Sequence, residues 1–150
     1  MPDATESVIK NHAAFIWSVA DLLRGDYKQS EYGKVILPLV VLRRLDCVLE
    51  PTKAHVLDTF GRIEGKVDNV DPILCGASGE QFFNTSRLDL RRLLDDPSNI
   101  ADNLRAYIAG FSDGARDVIE KFDFDVQIAK LDRANLLYLV HRLPYPPNKG

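Results

Sequence analysis

Apolar residues recur at three- and four-residue spacing along most of this chain, the period of an α-helix with one buried face. Over residues 7–24, Val8, Ile9, Phe15, Ile16, Val19, Leu22 and Leu23 follow that spacing, with Asp3 or Thr5 able to cap the start and Gly25 placed to close the end in a left-handed conformation. A second stretch opens near Ser30, read as a hydroxyl cap, and continues through Tyr32, Val35, Ile36, Leu39, Val40, Leu42, Leu45 and Leu49. Pro38 lies inside it. Its ring crowds the Lys34 carbonyl and it has no N–H to donate, which predicts a kink or break that divides the stretch. Pro51 suits the first turn of a further helix carrying Ala54, Val56, Leu57, Phe60 and Ile63.

The periodicity lapses over residues 64–85. Gly65, Asp68, Asn69, Asp71, Pro72, Gly76, Ser78 and Gly79 crowd this segment with turn formers and predict one long connection, anchored by Phe82 and Phe83. Helical spacing then returns in short pieces: Leu88, Leu90, Leu93 and Leu94, a break at Asp96-Pro97, and Ile100, Leu104, Tyr107, Ile108 and Phe111. Ser112 is read as the cap of a helix through Val118, Ile119 and Phe122, and Asp132 as the cap of the run Leu136, Leu137, Leu139, Val140 and Leu143. The best strand-like alternation is Phe122-Asp123-Phe124-Asp125-Val126, too short to call for a sheet. The pattern predicts an all-α, compact orthogonal bundle of about six to eight helices over residues 1–143. Residues 144–150, with Pro144, Pro146 and Pro147, form a linker or truncated end.

Composition narrows the function classes. At 150 residues, with 45% hydrophobic and 27% charged side chains, the chain has the size and content of one folded domain rather than a disordered segment. Its longest apolar run, residues 35–42, is far short of the ~20 residues that cross a bilayer, and its first ten residues contain no signal-peptide core, so a cytoplasmic location is expected. Cys47 and Cys75 are isolated and expected to be reduced thiols. A net charge of −3 means that any contact with nucleic acid must be made by a local group of cations or shared with other subunits.

No arrangement for catalysis, cofactor or metal binding is legible. Gly76-Ala77-Ser78-Gly79 has neither the flanking strand nor the lysine of a phosphate-binding turn. His12, His55 and His141 have no Glu, Cys or His at ligand spacing on the same helix face. The acidic pairs Asp95-Asp96 and Asp123/Asp125 lie beside predicted helix starts, where carboxylates meet the positive end of the helix dipole. Trp17, flanked by Phe15 and Ile16, is expected in the core rather than stacked on a base. The cations Lys28, Lys34, Arg43, Arg44, Arg91 and Arg92 are the candidate phosphate contacts, with a solvated helix face as the competing reading for the two arginine pairs.

Three stretches, in this order, carry a resemblance. They are Ile16-Trp17-Ser18-Val19-Ala20-Asp21-Leu22-Leu23-Arg24-Gly25, then Glu31-Tyr32-Gly33-Lys34-Val35-Ile36-Leu37-Pro38-Leu39-Val40-Val41-Leu42-Arg43-Arg44-Leu45, and then the run from Asp96-Pro97-Ser98-Asn99-Ile100 through Phe122-Asp123-Phe124-Asp125 to Ala134-Asn135-Leu136-Leu137-Tyr138. Together they resemble the N-terminal helical domain of the modification subunit of type I restriction-modification systems. The resemblance implies a subunit that transfers a methyl group from S-adenosylmethionine to adenine N6, with the transfer performed by a separate catalytic domain. The family's Asn/Asp-Pro-Pro-Tyr/Phe motif has no counterpart here: Asp71-Pro72 and Asp96-Pro97 lack the second proline, and Pro144-Tyr145-Pro146-Pro147 has another order. What the resemblance implies for this chain is an assembly module that packs on the catalytic domain, contacts the specificity subunit and, with the restriction subunit in the full complex, helps close around double-stranded DNA. S-adenosylmethionine is then a cofactor of the complete subunit and not of this chain. A helical protein-interaction module with no catalytic role is the alternative from another class.

Overall fold

The computed structural model describes residues 4–142. Asp3, Leu143 and the expected tail lie outside them, as do the side chains of Val8, Ile9, His12, Phe15, Val140 and His141. Seven α-helices follow one another among the described residues: α1 (Ala4–Leu23), α2 (Tyr32–Leu49), α3 (Lys53–Ile63), α4 (Asp71–Ser78), α5 (Ile100–Ala109), α6 (Asp113–Glu120) and α7 (Phe124–Arg133). Five short 3-10 turns link or extend them, the last covering Leu137–Arg142. The protein is an all-α domain, and the sole sheet-like contact among the described residues is one antiparallel bridge between Asn84 and Phe111.

The helices form because their apolar positions converge. Val19 and Leu23 of α1, Val35, Leu39 and Leu42 of α2, Leu104 and Tyr107 of α5, Ile119 of α6, and Phe124, Ile128 and Leu131 of α7 meet in one core, closed by Leu136, Leu137 and Leu139. Each such aliphatic side chain contributes about 1.5–3 kcal/mol on burial. That magnitude decides the fate of Pro38. The expected break does not occur: α2 runs unbroken through it, with Pro38 itself buried. An internal proline costs about 3 kcal/mol, less than the summed burial of Val35, Ile36, Leu39, Leu42 and Leu49 on the same helix.

The long connection expected over residues 64–85 is also corrected. Its middle is α4, with Pro72 in its first turn and Gly79 ending it at φ 72°. The residues that read as loop punctuation are the start and stop signals of a short helix. Val56 of α3, Leu74 of α4 and Phe83 form a second, smaller core with Phe60, Ile63 and Val70 packed against it. Phe82 turns the other way and packs on the main core, so the two phenylalanines do anchor the segment, one to each core.

Several expected caps are replaced by backbone bonds. Gly25 does not adopt a positive φ; α1 closes when the N–H groups of Asp26 and Tyr27 donate to the Leu23 carbonyl at 3.0 and 2.9 Å. Ser30 sits inside the 3-10 turn Gln29–Glu31, which leads into α2 through the Tyr32 N–H bonded to the Gln29 carbonyl. Thr5 lies within α1 rather than before it. Ser112 does occupy the position before α6, but its hydroxyl accepts from the Phe83 N–H at 3.2 Å instead of capping the helix. Asp132 belongs to α7; the chain leaves that helix through Asn135 at φ 58°, with the Leu136 N–H returning to the Leu131 carbonyl at 2.8 Å. The alternating Phe122–Val126 piece makes no strand: Asp123 takes a left-handed φ of 51° and Phe124 begins α7.

Candidate nucleic-acid and docking surfaces

The six candidate cations divide by environment. Lys28, Lys34 and Arg44 are exposed and form no ion pair with a described residue. Arg91 and Arg92 are exposed too, but each meets a carboxylate: Arg91 with Glu50 at 3.4 Å, Arg92 with Asp89 at 3.6 Å. Ion pairs on such exposed side chains are worth about 0–1 kcal/mol; Arg92 also donates to the Arg87 carbonyl at 3.3 Å. Arg43 is different. Its side chain is 6% exposed and faces Asp46, itself 8% exposed, at 3.4 Å, which points it into the protein and away from solvent.

Arg43 and Asp46 belong to a polar joint where α2, α3 and α5 converge. The Tyr107 hydroxyl donates to Asp46 Oδ1 at 2.8 Å, and Lys53, the first residue of α3, donates to the Leu88 carbonyl while its ammonium stands 5.5 Å from the Tyr107 ring centre. Burial pushes the Asp46 carboxyl above its usual range, against the pull of the Tyr107 hydrogen bond and of Arg43. Burial also drives the Tyr107 phenol well up and the Lys53 ammonium down. A cavity of about 80 Å³ opens beside these groups, with Asn84, Asp89 and the Glu50–Arg91 pair on its wall. Three carboxylates border it, yet no group of His, Cys, Asp or Glu among the described residues is arranged to hold a metal ion. Every polar member faces a partner within the chain, so the joint locks elements together and presents no open nucleophile. One signal in the sequence marks it: Arg43 and Asp46 fall at i, i+3 on the apolar face of α2. Tyr107, sixty-one positions from Asp46, carries no such mark.

The segment after α4 is stapled to the end of α5. The Asn84 side chain donates to the Tyr107 carbonyl at 2.9 Å and accepts from the Ser86 N–H at 2.7 Å, while the Thr85 N–H donates to the Gly110 carbonyl at 2.9 Å. A Cβ at Gly110 would fall 2.5 Å from Asn84 Oδ1 and 2.8 Å from the Ser86 nitrogen, so only glycine permits this approach.

Other candidates resolve plainly. Trp17, expected in the core, is 70% exposed on the outer side of α1, with Ile16 beside it at 42%; Val19 and Leu23 supply the buried contacts of that helix instead. Gly76-Ala77-Ser78-Gly79 is the end of α4, where the Ser78 hydroxyl donates to the Phe82 carbonyl at 2.8 Å. Asp96 accepts from the Asn99 side chain, and Asp125 pairs with Arg105 at 2.8 Å. His55 is exposed, and both cysteines are half-buried free thiols.

The described surface thus combines exposed apolar side chains on α1 and α2 with exposed cations, around an inward-facing polar joint. The family described as the HsdM N-terminal domain matches residues 12–143. The chain belongs to this family, the N-terminal domain of type I restriction-modification M subunits. No curated protein and no solved structure matches it. The family places the chain in the context of a type I restriction-modification complex. Among the described residues no helix is long and apolar enough to cross a membrane.

Proposed function

We propose that this HsdM N-terminal domain is an assembly and DNA-clamping module of an adenine-specific, S-adenosylmethionine-dependent methyltransferase. In this reading it docks on the catalytic domain and the specificity subunit and helps close the complex around double-stranded DNA, and it transfers no methyl group itself. The family match over residues 12–143 carries the reading. Two features support it: the sequence holds no Asn/Asp-Pro-Pro-Tyr/Phe motif, and the candidate phosphate contacts Lys28, Arg91 and Arg92 are exposed.

The test is a salt titration of DNA binding by the reconstituted methyltransferase carrying Lys28→Glu, Arg91→Glu and Arg92→Glu. Removing one phosphate interaction lowers the slope of log affinity against log salt by about 0.9. The expected result is weaker binding at every salt concentration, a flatter slope, and unchanged co-purification with the specificity subunit. An unchanged slope removes these residues from the DNA side. If the domain does not associate with the specificity subunit or the catalytic domain at all, the assembly reading falls.

A further inference from the structure

The outer face of α2 departs from the rest of the surface. On this helix Val35, Ile36, Pro38, Leu39, Leu42, Arg43, Asp46 and Leu49 are buried on one side. Gly33, Lys34, Leu37, Val40, Val41, Arg44, Cys47 and Val48 recur at three- and four-residue steps on the opposite side; Gly33, Lys34, Leu37 and Arg44 are exposed and the other four partly buried, with Val40 and Val41 also touching the rim of the main core. Leu37 is 57% exposed, among the most open large aliphatic side chains described. No carboxylate lies on this face, whereas α1, α3, α5, α6 and α7 all expose at least one. Its two cations stand ten residues apart, about 15 Å along the axis, with Leu37, Val40 and Val41 between them and Val48 beyond Arg44; neither forms an ion pair with a described residue, while Glu31, one turn before Lys34 and paired with Lys130, feels the Lys34 charge. In a chain whose net charge is −3, this face is locally positive and apolar at once.

That combination selects an occupant. A DNA backbone would satisfy Lys34 and Arg44 but leave Leu37, Val40, Val41 and Val48 against sugar and phosphate, with no apolar surface to bury. A second copy would bring the same cations to the interface, with no carboxylate on this face to meet them. A helix with an aliphatic stripe edged by Asp or Glu meets both requirements, since its stripe covers the strip and its acids pair with the two ends. We infer that the outer face of α2, the strip Leu37–Val40–Val41 between Lys34 and Arg44, continued by Val48, receives an acidic amphipathic helix of a companion protein in the complex. This rests on the assembly reading and names the chemistry of the partner.

The test uses the full chain and a labelled synthetic helix of 18 residues, the length of α2, carrying a leucine stripe edged by glutamates. A control peptide has lysines in place of the glutamates. Fluorescence anisotropy should show saturable binding of the acidic peptide only, with amide shifts centred on residues 34–48. Leu37→Asp, at an open position where folding is unaffected, should weaken binding at least about tenfold. Lys34→Glu with Arg44→Glu should invert the preference toward the lysine peptide. Equal binding of both peptides, or no shift along α2, overturns the inference. So does duplex DNA binding that needs Lys34 and Arg44 but not Leu37, which assigns the face to DNA. Self-association abolished by Leu37→Asp overturns it too, in favour of a second copy. Failure of the assembly reading is read separately: peptide binding then persists while co-purification with the specificity subunit is absent.

Discussion

The main body and the α3–α4 hairpin are built from the same residue types, yet they are held very differently. The main core draws on α1, α2, α5, α6, α7 and the last 3-10 turn. The hairpin rests on Val56, Leu74 and Phe83 with a fringe of half-buried neighbours, and besides Phe82, which packs on the main core, it is tied down by polar links: Thr52 to the Ser78 carbonyl at 3.3 Å, Lys53 to the Leu88 carbonyl, and the Asn84 staple. Buried apolar area sets the free energy of local opening. The hairpin is therefore the unit that opens first, and the polar joint beneath it sets how that opening is coupled to the rest.

Mutations can break this comparison. Leu104→Ala, with no exposed surface in the wild type, should cost about 3–5 kcal/mol and lower the single unfolding transition seen by urea titration. Leu74→Ala, equally buried but in the small core, should instead erase amide protection across α3 and α4 while α5 and α7 keep theirs in hydrogen exchange. Equal loss of protection everywhere would show that the two cores act as one.

At the joint, Asp46→Ala takes away the carboxylate facing the Arg43 guanidinium and the acceptor of the Tyr107 hydroxyl; a loss of about 3 kcal/mol is expected in the same titration. The pH dependence sharpens the point. Because burial raises the Asp46 carboxyl, the folded chain holds that proton to higher pH than the unfolded chain. This group's contribution to stability thus falls as pH rises from the ordinary aspartate range through its raised folded pKa. Glu31 acts in the opposite sense: its hydrogen bond from Lys130 lowers it, so its contribution is present above the usual carboxylate range and lost as pH falls through the folded value. Urea midpoints followed across mildly acidic pH in wild type and Asp46→Asn should differ in slope, and identical slopes would remove Asp46 as a source.

Smaller effects are expected at two further sites. Gly110→Ala should cost about 2 kcal/mol, because the new methyl meets backbone and the Asn84 staple; calorimetry on the purified variant checks it. Trp17→Ala, at a side chain 70% exposed, should change stability by no more than about 0.5 kcal/mol. A larger loss would show that α1 relies on this ring.

Periodicity reveals α3, α5 and α6 because each turns charged side chains outward opposite its buried positions, and α1 because its apolar residues recur at helical spacing over a long stretch. It misreads α2, since a helix apolar on both sides shows no clear stripe and Pro38 argues for a break that the core overrides. It misses α4 because eight residues holding Asp71, Pro72 and Gly76 resemble a turn cluster; only the Pro-to-Gly79 spacing betrays a helix. It misses α7 altogether: the strand-like alternation around Phe124 hides its start, and Asp132 reads as the cap of a later helix although it lies inside this one. Trp17 is misplaced for a related reason: in a residue-by-residue reading a tryptophan beside Ile16 argues for core, while the helical phase set by Val19 and Leu23 puts it on the far side. Of the candidate cations, exposure of Lys28, Lys34, Arg44, Arg91 and Arg92 agrees with their polar character. Arg43 does not follow, since its burial depends on Asp46 one turn later and on Tyr107 from a distant helix.

Pro38 in the middle of α2 also has a bearing on how the chain is made. A helix interrupted in its own hydrogen-bond ladder gains little by forming alone, and the packing that holds it comes from α1 nearby and from the distant α6 and α7, with the Lys130–Glu31 pair linking positions ninety-nine residues apart. During synthesis, α2 can meet α1 early but completes its packing only once α6 and α7 have been made. Until then the aliphatic strip and part of the buried face of the same helix are both open to solvent, and that interval is when the nascent domain is most dependent on chaperones.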